Sequence, residues 1–313
     1  MKTVSFVIPC YRSEKTVGGV VLEIQDTMRA LPQYDYEFVL VNDCSPDGTF
    51  AVLRQLAEAD PRVTAVDLVK NFGQHAALMC GMRCARGDCV VCLDDDGQTP
   101  ADEVGKLLQK LEEGYDVVYA SYAEKQESGF RRFGSDVNRL MTEFMLGKPR
   151  ELELTSYFAA SRLIVDEMLR YEHCYPYVMG LVLRSTKRIC NVPVQHRARQ
   201  SGSSGYTLAK LLGLWMNGFT SFSVKPLRMF TFVGLASLAI GFLWTLVIVI
   251  RYFTAHTAPL GWSTTTVLLL MIGGLILFGI GLVGEYVGRI FMCVNATPQY
   301  IVREKVSQRE KDA

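Results

Sequence analysis

The chain opens with short apolar runs alternating with stretches of helical periodicity. Residues 4–8, 37–41, 63–68, 89–93 and 116–120 read as strands. Between them, 13–31, 47–59, 74–85 and 100–113 read as helices. Ser13 is the candidate N-cap of the first, and Pro100 with the acidic residues after it suits the start of the last. Strands and helices in alternation predict a parallel sheet covered on both faces. In such a sheet ligands bind beyond the carboxyl ends of the strands.

Further along, the periodicity changes. Phe133, Val137, Leu140, Met141, Phe144 and Met145 recur at helical spacing among Arg131, Arg132 and Arg139. Two readings stay open: a domain helix with a solvated basic face, or a helix at a membrane surface beside an anionic lipid. Residues 206–222 are amphipathic too, with Leu208, Leu211, Leu212, Trp215 and Phe219, and predict an interfacial helix. Two uncharged apolar runs follow, 229–250 and 262–284. Each exceeds the roughly 20 residues that a bilayer-spanning helix needs. The connector between them is too short for a domain, so the pair predicts a hairpin.

The resulting division is a catalytic domain at 1–205, an interfacial helix and linker at 206–228, and spans at 229–252 and 263–288. An external loop at 253–262 joins the spans, and a tail at 289–313 follows. Lys225 and Arg228 precede the hairpin, and Arg289, Arg303 and Lys305 follow it. By the positive-inside rule the domain and the tail face the cytoplasm, against the single Arg251 at a helix end. No signal-peptide pattern precedes the first strand. The expected location is a bacterial inner membrane.

Composition changes this picture little. Lys+Arg 33 against Asp+Glu 32 gives a net charge of +1 over 313 residues, which removes any global case for nucleic-acid binding. Nine cysteines lie mostly in apolar runs and read as reduced packing residues. Gly279-Ile-Gly-Leu-Val-Gly284 spells a dinucleotide fingerprint, but it lies inside an apolar span without a preceding strand. That context excludes a dehydrogenase reading, and Gly284 with Gly288 reads as a helix-packing face. The sequon at Asn295 would be silent on the cytosolic side.

The candidate chemistry lies at strand ends. Asp94-Asp95-Asp96-Gly97-Gln98 follows the fourth strand. Three adjacent carboxylates repel one another, and a divalent cation with hard oxygen ligands, Mg²⁺ or Mn²⁺, would cancel the charge. The alternative is an acidic turn capping the next helix. Glu14 follows the first strand and Asp43 closes the second. Either could bond a nucleoside, or serve as a first-turn or turn residue. His75 could be a base or a packed histidine.

Four motifs combine these positions: Val7-Ile-Pro-Cys-Tyr11, Val41-Asn-Asp43, Asn71-Phe-Gly-Gln-His75 and Asp94-Asp-Asp-Gly-Gln98. They resemble family 2 glycosyltransferases of the GT-A fold, and within them the polyprenyl-phosphate glycosyltransferases. The resemblance continues through Arg199-Gln-Ser-Gly-Ser-Ser-Gly-Tyr206, Lys225-Pro-Leu-Arg-Met229 and Gly284-Glu-Tyr-Val-Gly-Arg289. It implies that Pro9, Tyr11, Glu14 and Asp43 hold the nucleoside, that Asp94 and Asp96 bind the metal, and that Gln98 lies near the donor sugar. Arg199 and Ser204, with Arg131 and Arg132, would meet the diphosphate or the acceptor phosphate. It also implies a UDP-sugar donor, an undecaprenyl phosphate acceptor, a role in cell-envelope glycan or lipid A modification, and a homo-oligomer, a tetramer by analogy. Two positions depart from the family pattern: Gly205 stands where a lysine is common, and Ala159 ends Glu153-Leu-Thr-Ser-Tyr-Phe-Ala159 where the family has an arginine. A non-catalytic membrane scaffold and a processive polysaccharide synthase are the competing readings. The second lacks its usual additional spans and Gln-x-x-Arg-Trp motif here.

Overall fold

The computed structural model describes residues 1–122, 148–195 and 261–308, with scattered positions between. All but scattered positions of the predicted helix at 130–146, the loop at 253–262 and the first span lie outside the described residues, as does the whole of 206–222.

The strands are β1 (Lys2–Cys10), β2 (Tyr34–Asn42), β3 (Val63–Leu68), β4 (Cys89–Cys92), β5 (Val117–Tyr122), β6 (Phe158–Ser161), β7 (Ile189–Val194) and β8 (Val302–Val306). They form one sheet in the order β7-β5-β6-β4-β1-β2-β3-β8. β1 pairs in parallel with β2 and β4, β2 with β3, and β5 with β7. Only β6 and β8 run against their neighbours. The sheet is mainly parallel, as the alternation predicts. Strand order reverses between β1 and β4, which makes their carboxyl ends the switch point where such sheets open a crevice.

Helices α1 (Val17–Arg29), α2 (Thr49–Ala59) and α4 (Val104–Glu112) bury Ile24, Leu53 and Leu107 in one core with Phe6, Ile8, Phe38 and Leu40. Helix α3 (Gln74–Cys84) packs on β1 and β2; a β-carbon at Gly81 would stand 2.4 Å from Val7 Cγ1. Helices α5 (Arg162–Leu169) and α6 (Val178–Ser185) pack on each other and on α3. Because β1 is buried on both faces, its sequence from Val4 to Ile8 is apolar but for Ser5, whose hydroxyl donates to Glu37 Oε1 at 2.8 Å, rather than alternating.

Two expectations shift. The first helix starts at Val17, not Ser13. The Ser13 amide is taken by Thr49 Oγ1 at 3.0 Å, so residues 13–16 form a turn held to α2. The last begins as a 3₁₀ turn, Ala101–Glu103, before α4. The tail expected after the second span carries β8, the sheet's edge strand beside β3. Of the cysteines read as packing residues, Cys10, Cys80, Cys89, Cys92 and Cys174 are buried, and Cys44, Cys84, Cys190 and Cys293 are partly exposed.

The chain divides into two compact units, the second running from Gly213 to Asn295. Its described part is α7 (Trp262–Val294), 33 residues long. Within it, 272–294 is apolar enough to cross a bilayer, and Leu269, Leu277 and Phe291 are exposed. Among the described residues it is the one such helix.

Candidate active site

Three loops meet at the switch point, after β1, β2 and β4. Two of them bend through the left-handed region without glycine, at Arg12 (φ 59°) and Cys44 (φ 52°). Such backbone costs on the order of 1 kcal/mol or more and persists only where surrounding bonds enforce it. Here Ser45 supplies the tie: its Oγ accepts the Arg12 amide at 2.8 Å and donates to Asp47 Oδ1 at 2.5 Å.

Asp43 is 4% exposed. Its Oδ1 accepts the Phe72 amide at 2.7 Å and its Oδ2 the Gly73 amide at 2.8 Å. Burial raises its pKa, and these two amides pull the other way. Asp43 thereby holds the turn that leads into α3. Glu14 is exposed, and its Oε2 accepts the Gly48 amide at 3.1 Å, at the N-terminus of α2. Each acid thus bonds the backbone of another segment: Glu14 lies before α1 and reaches Gly48, and Asp43 reaches residues 72 and 73. Pro9 pairs with Val41 at the end of β1, and Tyr11 is 44% exposed with the Arg12 guanidinium 5.5 Å from its ring centroid.

The acidic turn after β4 is resolved carboxylate by carboxylate. Gln74 Nε2 donates to Asp94 Oδ1 at 2.8 Å, and the Ser156 hydroxyl donates to Asp94 Oδ2. Asp95 reaches across the switch point, where its Oδ2 accepts the Tyr11 amide at 2.9 Å. Asp96 Oδ1 accepts the Gln98 amide at 3.0 Å, closing a turn that passes through Gly97 at φ 72°. Asp95 has its carboxyl pushed up to about 6, by burial first, with the Tyr11 amide opposing and Asp94 adding to the rise. Negative charge is thus concentrated at one sheet end, a setting that a divalent cation would relieve. Among the described residues no three His, Cys, Asp or Glu side chains form a metal cage. A cation here would take carboxylates from Asp94 and Asp96, and that donor set of hard oxygens fits Mg²⁺ or Mn²⁺ held jointly with a phosphorylated ligand.

His75 has the character of a packed residue. Its ring meets Tyr177 edge-on at 5.1 Å, and burial pushes its pKa down to about 4. Ala159, the position that departs from the family pattern, lies buried in mid-sheet between Val91 and Val118. Arg131, Arg132, Arg199 and Ser204 lie outside the described residues. Three residues that sequence reasoning did not assign are built into the site: Asp95, Gln74 and Ser156. Asp95 and Gln74 lie inside motifs already quoted. Ser156 lies inside Glu153-Leu-Thr-Ser-Tyr-Phe-Ala159, but its contact with Asp94 joins residues 62 apart, which no local pattern shows.

The fold is that of known sugar-nucleotide enzymes. Glucosyl-3-phosphoglycerate synthase from Mycobacterium tuberculosis, solved with uridine diphosphate, matches with a TM-score of 0.51 at 20% identity over 69% of this chain and 78% of that one. A mycobacterial protein matches with a TM-score of 0.54 at 19% identity over 71% and 75%. In sequence, the glycosyl transferase family 2 profile matches residues 5–169, and the GtrB C-terminal hairpin profile matches residues 225–290. An undecaprenyl-phosphate 4-deoxy-4-formamido-L-arabinose transferase of Yersinia pestis (strain Pestoides F) is 32% identical over 100% of this chain and 96% of its own. A Bacillus subtilis (strain 168) protein described as the uncharacterized glycosyltransferase YkcC is 31% identical over 98% and 95%. The chain is a glycosyltransferase of family 2.

Proposed function

We propose that the protein transfers a sugar, with inversion, from a UDP-sugar to undecaprenyl phosphate at the cytoplasmic leaflet. The acidic turn at the switch point carries this reading, with its Asp95 bonded to the nucleoside-side loop at Tyr11. The full-length likeness to an undecaprenyl-phosphate transferase supports the acceptor. The related fold solved with Mn²⁺ and UDP-glucose, at a TM-score of 0.50, supports the donor class and a divalent ion.

In the proposed reaction an acceptor phosphate oxygen bonds to the anomeric carbon as the bond from that carbon to the diphosphate breaks. The leaving diphosphate takes the electron pair. A phosphate monoester has its second pKa near about 6, so it is largely ionised at neutral pH and needs no strong base. A buried His75 with a low pKa is consistent with that. Tyr11, Glu14, Asp43 and Pro9 would line the nucleoside. Asp94 and Asp96 would hold the cation, which supplies charge neutralisation to the diphosphate, and Gln98 would face the sugar. Arg131, Arg132, Arg199 and Ser204 would meet the acceptor phosphate.

The test is purified full chain with Mg²⁺ or Mn²⁺, undecaprenyl phosphate and a panel of UDP-sugars, with lipid-linked sugar measured. Asp96→Ala should lose at least a hundredfold in turnover. Unchanged turnover in that variant would remove the cation from Asp96. No product from any nucleotide sugar would favour the scaffold reading.

A further inference from the structure

The edge strand β8 delivers a side chain to the floor of the nucleoside-side loops. Arg303 Nη1 donates to Asp67 Oδ2 at 3.1 Å, and its Nη2 donates to the Val69 carbonyl at 2.9 Å. The Asp67 side chain is 5% exposed, and its other oxygen accepts from Asn42 Nδ2 at 2.6 Å. Asn42, itself 3% exposed, uses Oδ1 to accept the Ser45 amide at 3.2 Å. Ser45 Oγ in turn accepts the amide of Arg12, next to Tyr11. Each contact is an ordinary hydrogen bond. Together they form a continuous path from the C-terminal strand to both left-handed loop residues, Arg12 and Cys44.

We infer that Arg303 is a positioning residue for donor binding, acting through Asp67, Asn42 and Ser45 on the loops after β1 and β2. The inference rests on the reading that those loops take the nucleotide. Its physical basis is that a buried carboxylate bonded on both oxygens is held in place, and that a guanidinium donating from two nitrogens, one to Asp67 and one to the Val69 carbonyl, sets the angle as well as the charge. Without Arg303, Asp67 keeps its bond from Asn42 but loses the one on its other oxygen, so the carboxylate can turn and holds Asn42 less firmly. The αL backbone at Arg12 and Cys44 then loses part of what holds it. The consequence falls on donor affinity, since no contact in the path touches Asp94 or Asp96.

The measurement is binding of UDP in the presence of Mn²⁺ to the full chain in detergent micelles, with turnover measured alongside. Arg303→Met should weaken UDP binding by about five- to twentyfold and raise the donor KM to match, leaving kcat within about twofold. Arg303→Lys, which returns the charge but one bond fewer, should recover part of the loss. Asn42→Ala should reproduce the loss, and the double variant should add little to it. Hydrogen exchange at β8 amides checks that the strand stays docked, and the Asn42 variant carries the test if it does not. Wild-type UDP affinity in Arg303→Met, while Asp43→Asn has lost it, overturns the relay alone. Independent, additive losses in the double variant also overturn it. Unchanged affinity in both Arg303→Met and Asp43→Asn removes the nucleotide reading, and the relay with it.

Discussion

Ser156 donates its hydroxyl to Asp94, joining the residues just before β6 to the acidic turn after β4. With Gln74 on the other oxygen, the carboxylate is gripped from two elements. A hydrogen bond to a charged group contributes about 1.5–3 kcal/mol. Ser156→Ala should therefore lower kcat/KM by about tenfold and raise the Mn²⁺ concentration giving half-maximal turnover. Ser156→Thr, which keeps the hydroxyl, should recover most of both. A Mn²⁺ titration of turnover decides, and wild-type metal dependence in the alanine variant would disconnect Ser156 from the cation.

Gly81 lies where α3 crosses the sheet. An added β-carbon would stand 2.4 Å from Val7 Cγ1 and 3.2 Å from Val41 Cγ2. Both are core strand residues with no room to yield, and overpacking of this kind costs about 1–3 kcal/mol. Gly81→Ala should lower the melting temperature by several degrees. It should also lift the N-terminus of α3, where Gln74 holds Asp94, so activity should fall more steeply than stability. A thermal scan beside a turnover assay separates the two effects.

Legibility in the sequence followed the range of the interactions. Strands β1 to β5 announced themselves because strands buried on both faces are written as apolar runs, and the helices between them carry 3.6-residue periodicity. Strand β6 did not: Phe158-Ala-Ala-Ser161 is four residues long, and its place between β4 and β5 is set by pairing alone. In β8, Val302-Arg-Glu-Lys-Val306 looks like a solvated tail. Its charges are bonded across the fold instead, Arg303 to Asp67 and Glu304 to Arg54 at 2.5 Å. The acidic turn was legible as a cluster. The division of labour within it was not, because the three differ in their partners: Asp94 takes Gln74 and Ser156, Asp95 the Tyr11 amide, and Asp96 the Gln98 amide.

His75 makes stability depend on pH. Its pKa falls from 6.5 in the unfolded chain to about 4 in the fold because burial disfavours the imidazolium. Between those values the unfolded chain binds the proton that the fold refuses. Stability is therefore fully present above about pH 6.5 and is lost as pH falls towards 4. The loss is up to about 3 kcal/mol. His75→Phe keeps the edge-on contact with Tyr177 and removes the titration. Its melting temperature should fall less than that of the wild type between pH 7 and pH 4.5. Parallel curves would show that other groups carry the acid sensitivity.

The pairing of β8 with β3 constrains topology. Residues 302–306 belong to the same sheet as residues 2–194, so on the proposal that the segment between them enters a membrane, it must return to the side it left. A segment that returns crosses an even number of times. Helix α7 supplies one apolar stretch, 272–294, and under this proposal the uncharged run 229–250 would be its counterpart. Reporters fused at the N-terminus and at the C-terminus should therefore read the same compartment, and one inserted within residues 253–262 should read the other. With Lys225, Arg228, Arg289, Arg303 and Lys305 at the two ends, the shared compartment should be the cytoplasm. Termini reporting opposite sides would mean an odd number of crossings, which β8 could not join to β3 within one molecule. Deleting residues 301–313 should leave the hairpin's orientation unchanged while baring the β3 edge, so the truncated protein should aggregate more readily on heating.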